Sequence, residues 1–174
     1  VGAEPLHRED VTLEDAESVG KAVVYARLAD RSRSRAELME ALAKKHVPSE
    51  VAESLLDRFE RAGLVDDAAF ARDWVEGRQR VKGLASAVLR MELRRKGVDE
   101  ELIDAALVDV DPDEERQAAH RLVQRKLRSV QGLDPSVQVR RLTGMLARKG
   151  YAPQVAFDVV REELEAETFP LESA

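Results

Sequence analysis

One phrase is written three times along this chain: "LAKKHVPSEVAESLL" from Leu42 to Leu56, "LRRKGVDEELIDAAL" from Leu93 to Leu107, and "LARKGYAPQVAFDVV" from Leu146 to Val160. The copies are offset by 51 and 53 residues, a period at which a whole supersecondary unit is reused. Each opens on a helix face, since Leu38, Leu89 and Leu142 lie one turn before the first Leu of their copy. A basic pair follows: Lys44–Lys45, Arg95–Lys96 or Arg148–Lys149. Basic residues there complement the negative end of the helix dipole. Gly97 and Gly150 then end the helix in the left-handed conformation that glycine adopts cheaply. His46 is the weak copy, because a side chain tolerates positive φ less well. Asp99 is placed to cap the next helix, and Pro48 and Pro153 fall in its first turn, where a missing N–H costs little.

A further helix precedes each phrase. The first is expected over about Lys21 to Asp30 with Val24, Tyr25 and Leu28 inward, the second within "DDAAFARDWVEGRQR" with Asp66 as N-cap, the third within "EERQAAHRLVQRKLR". Helix formers dominate, with 44% hydrophobic and 36% charged residues, so the fold class is all-α. The expected architecture is three tandem three-helix repeats of about 50 residues, stacked into an elongated, curved array because so small a unit has little core of its own. The repeats are placed at residues 19–65, 66–110 and 111–166, with flexible segments at 1–18 and 167–174. Loops are expected at "ADRSRSR", "RVKGLAS" and "RSVQGLDPS".

The formal charge of −6 conceals a segregated pattern. Both ends are acidic, so residues 21–160 carry a positive balance. Arg78 to Lys96 holds seven bases against Glu92, and Arg116 to Phe157 holds nine against Asp134. Surface helices ordinarily mix signs, so runs this free of acids point to a polyanionic or acidic partner.

Chemistry is sparse. The chain has no cysteine, which removes disulfides and thiolate zinc sites. His7, His46 and His120 match no metal-ligand spacing, and His46 and His120 are expected on helix surfaces. No phosphate-cradling glycine motif and no nucleophile–base pair is present, so the expectation is a protein that is not an enzyme and needs no cofactor or metal. Tyr25, Phe59, Phe70, Trp74, Tyr151, Phe157 and Phe169 fall mostly on apolar stripes and are read as core. They are too few for a base-stacking platform, so any nucleic-acid contact would go through phosphates. No apolar run is long enough to span a bilayer, and "VGAEPLHRED" lacks the features of a signal peptide, so a cytoplasmic protein is expected.

The second repeat carries a specific resemblance. "GLVDDAAFARDWVEGRQRVKGLASAVLRMELRRKGV", Gly63 to Val98, resembles the RecX family through Leu64, Asp66, Asp67, Phe70, Ala71, Trp74, Val75, Arg78, Gly83, Leu93, Lys96, Gly97 and Val98. The flanking repeats fit the family's tandem organisation, so the resemblance covers about residues 20–166. Ala85–Ser86 departs from the Gly-Pro of many members, and Ser86 can still start a helix. The resemblance implies a regulator of the RecA recombinase, binding its filament on single-stranded DNA and inhibiting recombination, ATP hydrolysis and co-protease activity in DNA repair and the SOS response. The chain itself is expected to be a monomer.

The residues expected to face that filament, or DNA backbone through phosphate contacts, are Arg78, Arg80, Lys82, Arg90, Arg94, Arg95 and Lys96 in the second repeat. In the third they are Arg125, Lys126, Arg140, Arg141, Arg148 and Lys149. Two other classes stay open: a helical-repeat protein binding single- or double-stranded DNA without recombinase, and a scaffold for another acidic partner.

Overall fold

Each copy of the phrase folds as helix, turn and helix. The computed structural model describes residues 13–168, and among these it contains nine helices and no strand. They are α1 (Leu13–Asp30), α2 (Arg35–Ala43), α3 (Ser49–Arg61), α4 (Asp67–Lys82), α5 (Ser86–Arg95), α6 (Glu100–Leu107), α7 (Pro112–Leu127), α8 (Pro135–Arg148) and α9 (Pro153–Thr168). The fold is therefore an all-α tandem of three-helix repeats. Helix α1 starts well before Lys21 and takes in residues 13–18, part of the segment expected to be flexible. The rest of that segment, and residues 169–174 with Phe169, lie outside the described residues.

The helix starts follow local chemistry. Ser34 and Glu37 form a capping box on α2, each side chain bonding the other's backbone N–H. Asp66 accepts from the Ala69 N–H at 2.8 Å, as expected of a cap on α4. Pro112 and Pro135 open α7 and α8, where Asp111 and Asp134 accept from the N–H two residues on, each at 2.9 Å. Two details differ from expectation. Asp99 occupies the N-cap position of α6 without a side-chain cap bond, and Pro48 occupies the N-cap of α3 rather than its first turn.

The chain divides into two compact units. The first comprises the described residues up to Phe70 together with Lys96–Val98. Its core is Val24, Leu38, Leu42, Val47, Ala52, Leu55, Leu56, Phe59 and Val65, supplied by α1, α2 and α3 with their flanking turns. The second comprises Ala71–Arg95 and the described residues from Asp99 onward. Its core gathers Ala119, Leu122 and Val123 of α7, Leu142 and Leu146 of α8, and Ala156, Val159 and Val160 of α9, with Ala85, Val130 and Tyr151. Phe59, Phe70 and Tyr151 are buried as expected. Tyr25 and Phe157 are not core: they are 57% and 50% exposed. Tyr25 only leans on Phe59, with ring centroids 5.2 Å apart.

The three turns differ in what presses on them. Gly97 has φ 71°, and a Cβ there would lie 2.4 Å from the Ala36 Cβ at the start of α2. Gly150 has φ 92°, and its Cβ would lie 2.7 Å from Val88 Cγ2 on α5. His46 also adopts positive φ, 59°, yet its side chain is exposed. So glycine at 97 and 150 answers to close packing as well as to φ, whereas position 46 carries only the modest backbone strain. Gly97→Ala is expected to destabilise the protein by about 2–4 kcal/mol, combining left-handed strain with overpacking. His46→Gly should change stability by less than about 1 kcal/mol, in the stabilising direction. Urea denaturation of both variants reads the contrast.

Candidate partner-binding surface

Several of the expected cations already have partners within the chain. The Arg78 guanidinium sits 4.3 Å over the Trp74 ring and its Nε lies 3.4 Å from Glu92. Trp74 in turn donates from Nε1 to Glu92 at 2.8 Å, so this half-buried indole ties α4 to α5 through a polar bond rather than filling the core. Arg90 pairs with both Glu100 and Asp104 across α5 and α6. Arg94 reaches the same Glu100 at 2.7 Å, and Arg80 pairs with Glu76 one turn back at 3.2 Å.

Lys96 is the most committed of them. Its half-buried ammonium donates to Glu37 at 2.8 Å and lies 5.9 Å from the Phe70 ring. Its carbonyl accepts from the buried Ser34 hydroxyl at 2.6 Å. Burial acts to raise the Glu37 pKa, but hydrogen bonds from Lys96, Arg31 and the Ser34 N–H outweigh it and bring the carboxyl down to about 2.

The remaining cations point to solvent. Lys82, Arg95, Arg125, Lys126, Arg140, Arg141 and Arg148 are exposed, and no described carboxylate pairs with them. Arg121 and Arg128, absent from the sequence-based expectation, belong with this group. Arg121 stands one turn before Arg125 on α7 and Arg128 follows as the C-cap residue, a helical spacing that could have marked them. The exceptions in the third repeat are Arg116, paired with Glu162 at 2.6 Å, and Arg161, 4.0 Å from Glu165. His120 is likewise engaged rather than free on the surface, its Nδ1 lying 2.7 Å from Glu163.

Lys149 is intermediate. It is half-buried, and its ammonium donates to the Lys82 carbonyl at 2.6 Å. The Ala85 N–H donates to the Lys149 carbonyl at 2.9 Å, and the Tyr151 hydroxyl donates to the Gly83 carbonyl at 3.0 Å. Burial, then the nearby Arg125 and Lys82, hold the Lys149 ammonium below the usual lysine range. Burial, reinforced by Glu115, pushes the Tyr151 phenol up to about 12.

Comparison with known proteins matches all three repeats. Residues 21–59 match the model "RecX, first three-helix domain", residues 66–107 the second and residues 113–160 the third. The chain belongs to the RecX family. It is 48% identical over 147 residues to the regulatory protein RecX of Streptomyces coelicolor, covering 84% of this chain and 78% of that one. The corresponding protein of Thermobifida fusca is 46% identical over 154 residues, covering 88% and 83%. The crystal structure of RecX from Lactobacillus salivarius superposes with a TM-score of 0.77 over 87% of this chain and 99% of that one. At 16% identity, that likeness speaks for the fold alone.

In this RecX chain the first domain neutralises most of its own charge and the third leaves it open. Arg31, Arg33, Arg35, Lys44 and Arg58 all pair with acids. Among the described residues there is no group of His, Cys, Asp and Glu that could hold a metal, and no helix is long and apolar enough to cross a membrane.

The Glu37 environment sets a pH dependence. Its pKa is lowered on folding from 4.5 to about 2, so the stabilisation is complete above 4.5 and is lost as pH falls towards 2. Glu37→Gln is expected to cost about 2 kcal/mol at neutral pH and to flatten the stability profile across that window. Urea unfolding at a series of pH values checks both effects.

Proposed function

We propose that this protein regulates the RecA recombinase by binding its filament on single-stranded DNA and inhibiting recombination, ATP hydrolysis and co-protease activity. Membership in a family of regulatory proteins supports the reading. The observation that carries it is the set of exposed, unpaired cations on the third domain, above all Arg125, Lys126, Arg140, Arg141 and Arg148. A fold gains little from leaving so many like charges uncompensated, whereas an acidic or polyanionic partner gives each a counter-charge.

The tandem organisation suits a repetitive target. Domains that each bind weakly gain affinity by being linked, because the second contact forms at high effective concentration. Inhibition then requires only that the bound filament differ from the active one in its affinity for this chain. Arg80, Arg90 and Arg94 remain within reach of a partner, but they would have to exchange or share their present acids. Arg78 and Lys96 serve chiefly to hold the scaffold in place.

Charge reversal provides the test. Arg140→Glu combined with Arg141→Glu is expected to weaken filament binding, and with it inhibition of ATPase activity, by at least about 10-fold. Thermal stability should be unaltered, since both side chains are exposed. Full inhibition by the double variant would remove the third domain's charge from the mechanism. Binding to naked DNA with sequence preference, and without effect on recombinase, would favour the DNA-binding alternative instead.

A further inference from the structure

One cleft of the second unit holds opposite charges that the fold leaves unpaired. It has a volume of about 350 Å³ and lies between α4 and α7, with the buried Leu84 and Tyr151 also lining it. Part of its charge is already engaged. Glu76 pairs with Arg80 one turn along α4, at 3.2 Å. Glu115 accepts from the N–H and the hydroxyl of Ser86, at 2.9 and 2.6 Å. Asp111 caps α7 by accepting from the Asp113 N–H at 2.9 Å. The charged lining residues left over are Asp109, Glu114, Arg121 and Arg125. All are exposed, and no described charge pairs with any of them.

Helix geometry explains why these charges coexist without neutralising one another. Glu114 and Arg121 stand two turns apart on α7, so about 10 Å separates them along the axis. Ion pairs along a helix form at three or four residues, and the residue at that spacing from both is Ala118, which also lines the cleft. The cleft therefore has a negative end, formed by Asp109 and Glu114, and a positive end, formed by Arg121 and Arg125, with a small neutral residue between them.

This polarity selects among partners. A nucleic-acid backbone is anionic along its whole length, and here it would meet the carboxylates of Asp109 and Glu114 with like charge. A protein surface mixes both signs at short range. We propose that the cleft receives a surface segment of the protein partner, with a basic side chain against Asp109 and Glu114 and an acidic one against Arg121 and Arg125. The inference rests on the reading of this chain as a filament-binding regulator. It deepens that reading by giving two acidic residues a part in recognition and by assigning this cleft to the recombinase rather than to DNA. Two-sided charge matching also fixes orientation, since a segment docked the wrong way round meets like charge at both ends.

Neutralising the acids tests this, because protein and nucleic acid respond with opposite sign. Asp109→Asn combined with Glu114→Gln should weaken binding to the recombinase filament about 3- to 10-fold. Binding of the same variant to bare oligothymidylate should stay as it is or tighten, since like charge has been removed. Glu114→Arg should widen the contrast, and Arg121→Gln should weaken filament binding as well. All these side chains are exposed, so melting temperatures should stay close to that of the wild-type chain. Filament affinity unchanged or raised in both acid variants overturns the proposal, and a rise shared with bare oligonucleotide assigns the cleft to nucleic acid instead. A wild-type chain that fails to bind the filament overturns the regulatory reading and this inference with it. Wild-type binding with indifferent variants removes the cleft alone.

Discussion

Gly97 lies so close to Ala36 that a single methyl group would collide, and the organisation of the first unit depends on that approach. Only with the turn pressed down can the Lys96 carbonyl meet the buried Ser34 hydroxyl and the Lys96 ammonium meet Glu37. Ser34 is at once the N-cap of α2 and the donor that anchors the turn, so helix start and tertiary contact are one feature. The second unit reuses the arrangement with Gly150 against Val88 and Ala85 on the Lys149 carbonyl. Only the turn at His46 is relieved of the packing demand, and there the glycine is missing.

This explains why a basic pair recurs without every member of it being a binding residue. In "RRKG" the lysine next to the glycine is drawn inward by the turn, while the arginine before it stays at the surface. In the second and third copies the motif is thus a structural joint that displays one charge and consumes the next, whereas in the first Lys44 pairs with Glu40 and Lys45 stays exposed. Function attaches to what the joint and its helices leave unpaired, and that surplus grows from the first domain to the third. Surface ion pairs contribute little to stability, so their absence costs the third domain little and leaves it free to meet a partner.

Much of the fold is legible in the sequence because its punctuation is local. Gly97, Gly150, Pro112, Pro135 and Pro153 mark helix ends and starts wherever the rest of the chain lies. The repeat then sets how many such helices there are. What is not legible depends on residues distant in sequence. Glu37 lies 59 residues from Lys96, and nothing near "RRKG" announces that the lysine has an acid waiting. Trp74 reads as core because its ring is apolar, yet Glu92 and Arg78 hold it at the boundary. Tyr25 and Phe157 sit on helix faces with more apolar positions than the core accommodates.

Adjacent residues give the sharpest test of this division between charge that builds the scaffold and charge that meets the partner. Thermal stability and affinity for the recombinase filament, measured side by side for Arg95→Gln and Lys96→Gln, should move in opposite ways. Arg95→Gln is expected to keep the melting temperature and lose affinity, while Lys96→Gln, which strands Glu37, should lower the melting temperature by several degrees. Equal melting temperatures for the two variants, or filament affinity lost only through the unstable one, would contradict the account.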